Sequence, residues 1–119
     1  MVYGLVVKAT VGPEAPDRCS QAFDAAISGA SDGYDVSFWL AGEASWFALP
    51  GRAATCRIPG PVSLDAFLSN LIETSRVTLC KHCAARRGIT PGAILPNIRM
   101  AGAAVFVEEC LESIKAVVY

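Results

Sequence analysis

Cys80 and Cys83 flank a basic dipeptide in Cys80-Lys81-His82-Cys83, the closest spacing among five cysteines at positions 19, 56, 80, 83 and 110. A thiolate is a nucleophile and can carry sulfur, whereas an ordinary thiol with a pKa of about 8.5 is largely protonated at neutral pH. The surrounding sequence supplies a means of ionising it. Between Glu73 and Glu108 there is no acidic residue, while Arg76, Lys81, Arg86, Arg87 and Arg99 fall in that span, half of the ten basic residues. Lys81, His82 and the N–H groups of a helix beginning after Cys80 would place positive charge near its sulfur. This pattern reads as a nucleophilic or sulfur-carrying cysteine in an anion-friendly pocket, supported by Lys81, His82, Arg86 and Arg87. The competing reading is a buried cysteine that happens to precede a basic surface turn.

Cys83 supports several chemistries. On a helix, positions 80 and 83 share a face, so the thiols could form a redox pair or pass a sulfane sulfur between them. They could also bind zinc with His82, although the usual second Cys-x-x-Cys or His pair is missing and Cys56 would have to reach in from a loop. Cys83 could equally be a helix residue packed inward. His82 is the single histidine, and the simplest reading leaves its ring in solvent. No glycine-rich phosphate loop is present, since Thr10-Val11-Gly12-Pro13 lacks the required glycines. Glu108-Glu109 reads as a solvated pair on a polar helix face. Cys19 and Cys110 fall on apolar helical stripes and read as core. Glu43, Ser45 and Trp46 follow a strand and form a second-rank pocket.

The elements that must position these residues are legible from periodicity. Tyr3 to Ala9 is an apolar, β-rich run, as expected of a strand covered on both faces. A helix opening at Pro16-Asp17 places Cys19, Ala22, Phe23, Ala26, Ile27 and Ala30 on one stripe. Asp35 to Ala41 reads as a second strand, Gly42 to Leu49 as a short helix, and the stretch from Pro50 to Pro61 as a loop. Ser63 is a candidate N-cap for a helix through Ile72. Arg76 to Cys80 is a third strand, with a short helix from Lys81 to Arg87 stopped by Gly88. Ile98 to Ala101 forms a weaker fourth strand. A helix from Ala103 to Ile114 is expected to turn Ala103, Phe106, Val107, Cys110, Leu111 and Ile114 inward, ahead of a terminal strand from Ala116 to Tyr119. Alternating strands and helices predict an α/β class chain, a three-layer α/β/α sandwich around a mostly parallel five-stranded sheet. In such sheets ligands bind beyond the carboxyl ends of the strands, which is where Cys80 falls.

Composition narrows the classes further. The 119 residues suit one domain, and 53% hydrophobic with 18% charged residues argues against disorder. A net charge of −1 and a pI near 5.7 argue against sequence-wide attraction to nucleic acid or anionic membrane. The longest charge-free stretch, Gly88 to Ile98, is eleven residues with two prolines, well short of the roughly 20 apolar residues of a membrane span. The opening residues, Met1 to Lys8, show no basic segment followed by an apolar one, so a cytoplasmic location is expected. An odd cysteine count argues against a secreted disulfide scaffold. The high apolar fraction is consistent with surface hidden in an oligomer.

Val77-Thr78-Leu79-Cys80, followed by Arg86-Arg87-Gly88-Ile89, resembles the DsrE family, which includes DsrE and TusD of the sulfur relay systems and YchN-like proteins. The opening strand, the Gly-Pro turn, Ser20-Gln21-Ala22-Phe23 and Val36-Ser37-Phe38-Trp39-Leu40 extend the similarity over nearly the whole chain. The resemblance implies a single DsrE-like domain over residues 1–119 that forms trimers or hexamers, or joins sister subunits in a hetero-oligomer. It implies that Cys80 accepts sulfane sulfur as a persulfide from a donor protein and passes it to an acceptor, with no cofactor. Cys83 departs from the relay members, which are read through one cysteine at this place, and leaves room for a resolving thiol, a disulfide switch or a metal.

Overall fold

The computed structural model describes residues 3–119, so Met1 and Val2 of the opening segment lie outside the described residues. Five strands form one sheet: β1 (Leu5–Ala9), β2 (Val36–Leu40), β3 (Arg76–Cys80), β4 (Ile98–Ala101) and β5 (Lys115–Val118). Their order is β4-β3-β2-β1-β5 and every pairing is parallel. Four helices connect them: α1 (Pro16–Ser31), α2 (Leu64–Thr74), α3 (Lys81–Arg86) and α4 (Ala103–Glu112). The Gly42–Leu49 segment is a 3₁₀ helix over Gly42–Ala48, and the loop after it contains one further 3₁₀ turn, Ala53–Thr55. Ser63 caps α2 as its sequence predicts, its hydroxyl accepting from the Ala66 N–H at 3.2 Å.

Handedness decides which face each helix covers. The chain steps from β1 to β4 in one direction, then returns across the sheet to place β5 beside β1. Right-handed crossovers put the early helices on one face and the returning α4 on the other. Val7, Phe38, Val77 and Leu79 meet α1 and α2 residues such as Phe23 and Leu68 in the larger core, whereas Val6, Trp39 and Ala101 face α4. Among the described residues no helix is long and apolar enough to cross a membrane.

The orientation of α4 differs from its sequence pattern. Glu109 is buried, while Val107, Leu111 and Ile114 are 51%, 81% and 69% exposed. The inward face is instead Val105, Phe106, Glu109 and Cys110. The cause lies in the sheet beneath. Arg99 of β4 occupies the α4 face, and its guanidinium donates to the Glu109 carboxylate at 2.6 Å and to the Thr78 hydroxyl at 2.9 Å. Ser37 and the Trp39 indole donate to the other carboxylate oxygen, Trp39 at 2.9 Å. A charge placed on a covered sheet face demands a paired counter-charge, and that demand outweighs the apolar stripe of the helix. Burial raises the Glu109 pKa, but the Ser37, Arg99 and Trp39 hydrogen bonds and the Arg99 charge outweigh it, leaving the carboxyl below its ordinary value.

Candidate functional site

Parallel register builds the site one row at a time. Lys8, Trp39, Thr78 and Arg99 are cross-strand neighbours, so their side chains share the α4 face. Two residues beyond Thr78 on the same strand, Cys80 continues that face, opposite Ala101. It is also the last residue of β3 and the N-cap of α3. Cys80 is 9% exposed, at the boundary between the sheet and its carboxyl rim.

Several influences meet at its sulfur. Burial, the largest, pushes the thiol up. The Cys83 backbone N–H, the Cys83 thiol, the His82 backbone N–H and the positive charge of Lys8 all favour the anion, and together they hold Cys80 below the ordinary thiol value. The Lys8 ammonium sits 3.7 Å from the centre of the Phe106 ring, which stacks edge-on against Trp39 at 5.2 Å. Cation–π contact thus fixes the ammonium on the same face as the thiol. Of the other cysteines, Cys19 is raised to about 12, and Cys56 and Cys110 are raised as well, in each case with burial as the largest cause. All five cysteines are free.

The structure brings Cys80 and Cys83 together and distributes the remaining candidates around them. Cys83 is half-buried, and its sulfur accepts the Gly42 N–H at 3.3 Å. Arg87 ties α3 to the neighbouring loop: its guanidinium donates to the Glu43 carboxylate at 2.8 and 3.1 Å and to the Cys83 carbonyl at 3.1 Å. Its charge is therefore shared with Glu43 rather than held free for the thiol. Arg86 is exposed. Lys81 and His82 are also exposed, yet both lie against Gly102, where an added Cβ would stand 2.8 Å from Lys81 Cε and 3.3 Å from His82 Nε2. Glu43 and Trp46 line a cleft of about 370 Å³ with Glu14 and Arg52, whose guanidinium lies 4.7 Å from the Trp46 ring. Ser45 is fully buried, and its hydroxyl finds no hydrogen-bond partner among the described residues.

A zinc site reaching to Cys56 does not form. Cys56 is buried with Cys19 in the larger core. Among the described residues no group of three or more His, Cys, Asp or Glu side chains is arranged to hold a metal ion. Sequence reasoning missed Lys8 as a contributor to the site. The available signal was a lone charge inside an otherwise apolar strand, as with Arg99 between Ile98 and Met100.

The profile of the DsrE/DsrF-like family matches residues 1–119. Among solved structures, the crystal structure of the ychN protein from E. coli is similar in fold, with a TM-score of 0.82 at 19% sequence identity, covering 100% of this chain and 100% of that one. Comparison with the curated proteins found no match.

Proposed function

Because the chain belongs to the DsrE/DsrF-like family, a family of sulfur-relay type, we propose that it is a sulfurtransferase-like sulfur carrier whose Cys80 accepts sulfane sulfur as a persulfide. The observation that carries this reading is the Cys80 thiol itself, held below its ordinary value at the carboxyl rim of the sheet while Cys19, Cys56 and Cys110 are pushed up. In the loading step the Cys80 thiolate attacks the outer sulfur of a donor persulfide. The inner sulfur leaves with the donor's proton as a thiol, and Cys80 is left as a persulfide anion. Lys8 and the backbone N–H groups of His82 and Cys83 stabilise that negative charge. Lys81 and Arg86 present an exposed basic surface to an incoming donor.

The partners of this reading are a donor and an acceptor protein in the cytoplasm, met by a single DsrE-like domain over residues 1–119. Self-association as a trimer or hexamer, or assembly with sister subunits, is supported by the outer face of α4 and the β5 edge. There Val107, Leu111, Ile114 and Val118 are 51%, 81%, 69% and 60% exposed. Light scattering on the purified protein is expected to give a multiple of the 12.5 kDa chain mass.

Intact-mass spectrometry after incubation with a persulfide donor tests the central reading. The expected result is a mass gain of one sulfur atom that disappears in Cys80→Ser. Loss of two hydrogens without a sulfur adduct would favour a Cys80–Cys83 dithiol redox pair, which their placement at the N-cap and first turn of α3 also accommodates. Stoichiometric zinc would favour a metal module. A protein that shows none of these three results would favour a non-catalytic binding role.

A further inference from the structure

Cys83 has an environment of its own. It is more accessible than Cys80, which is 9% exposed. It stands on the first turn of α3, three residues after Cys80 at the helix N-cap, and its sulfur receives the Gly42 N–H at 3.3 Å. That donor is rigidly placed. Gly42 has φ of +52°, and an added Cβ would stand 2.3 Å from the Thr10 carbonyl oxygen. Only glycine fits there. On either side, the Ala41 N–H donates to the Ala9 carbonyl at 2.9 Å and the Glu43 N–H to the Thr10 carbonyl at 3.3 Å. Arg87 then joins the two halves of the arrangement by binding the Glu43 carboxylate and the Cys83 carbonyl together. A backbone donor fixed in advance toward a sulfur stabilises charge developing on that sulfur without reorganisation.

We propose that Cys83 is a second sulfur station, loaded from Cys80, with the Gly42 N–H as the donor that steadies its sulfur during transfer. The proposal rests on Cys80 being the first acceptor. Cys83 gives up its proton and attacks the outer sulfur of the Cys80 persulfide anion. The bond between the two persulfide sulfurs breaks as the new one forms, and the proton passes to the departing Cys80 sulfur. The products are a Cys83 persulfide anion and a Cys80 thiol. The sulfane sulfur keeps its oxidation state, so no oxidant or reductant is consumed. The sulfur thereby moves from the less exposed thiol to the more exposed one, where an acceptor thiol can reach it.

Trypsin resolves the two stations because Lys81 lies between them. Cys80 appears on the peptide Val77–Lys81 and Cys83 on His82–Arg86. The full chain is loaded with glutathione persulfide, quenched at intervals with iodoacetamide and digested without reductant. The extra sulfur is expected first on Val77–Lys81 and then on His82–Arg86. In Cys83→Ser it remains on Val77–Lys81, with discharge to added glutathione roughly tenfold slower than in the parent protein. In Cys80→Ser neither peptide is loaded. The wild-type time course needs no variant to fold. Persistent loading of Val77–Lys81 alone in the wild-type protein overturns the second station and leaves the first intact. The second station is likewise overturned if the two peptides emerge joined by a disulfide with sulfide released. Loading of His82–Arg86 in Cys80→Ser overturns the order of transfer. Failure to load Val77–Lys81 in both the wild-type protein and Cys83→Ser removes the first acceptor, and the second station with it.

Discussion

Two neighbouring cysteine pairs sit in the same molecule, and Cys19 and Cys56 are pushed up whereas Cys80, beside Cys83, is held below the ordinary thiol value. Cys19 and Cys56 lie in the larger core, where burial dominates and the Glu14 carboxylate, anchored by the Gly12 N–H at 2.7 Å, adds like charge. Cys80 also loses solvent, but two backbone N–H groups, a neighbouring thiol and Lys8 oppose the burial. Desolvation sets the direction at Cys19 and Cys56 but is overridden at Cys80. What separates the pairs is whether the fold aims donors and a cation, or a carboxylate, at the sulfur.

Cys80→Ser is expected to reduce sulfur loading to background, whereas Cys19→Ser leaves the rate of loading on Val77–Lys81 unchanged. The next largest effect concerns the face on which Cys80 stands. Glu109→Ala leaves Arg99 without its counter-charge and is expected to cost about 3–5 kcal/mol in denaturant unfolding. Because the Glu109 carboxyl lies below its ordinary value of 4.5 in the fold, the stability it contributes is complete above that pH. It is lost as pH falls through the folded value, so the variant's acid limb should be flatter than that of the parent. Cys19→Ser introduces a hydroxyl at a fully buried position and is expected to cost about 1–3 kcal/mol, read as a lower urea midpoint. Lys8→Met tests the smallest contribution. It should move the pH profile of Cys80 alkylation upward and slow the reaction at neutral pH roughly two- to fivefold, leaving Cys19 as it was.

Much of this arrangement is legible in the sequence because it is local. Val77-Thr78-Leu79-Cys80 is a strand by composition, Gly88 stops the helix after it, and the acid-free span announces a basic rim. The parts that escape sequence reading depend on register and handedness. Lys8 reaches the Cys80 face only because β1 lies two strands from β3 in a parallel sheet. Gly42 meets Cys83 only because the ends of β2 and β3 are adjacent. The outward turn of Val107, Leu111 and Ile114 follows from Arg99 needing Glu109, a long-range pairing that no helical period records.

Alkylation of the folded protein with iodoacetamide as a function of pH most directly tests the claim that Cys80 is the ionisable sulfur. Digestion places each cysteine on its own tryptic peptide, Cys80 on Val77–Lys81 and Cys19 on Cys19–Arg52. Val77–Lys81 is expected to reach half its maximal rate below the ordinary thiol value of about 8.5, while Cys19–Arg52 stays unlabelled wherever the protein remains folded. A Cys80 midpoint at or above about 8.5 would overturn its assignment as the ionisable sulfur.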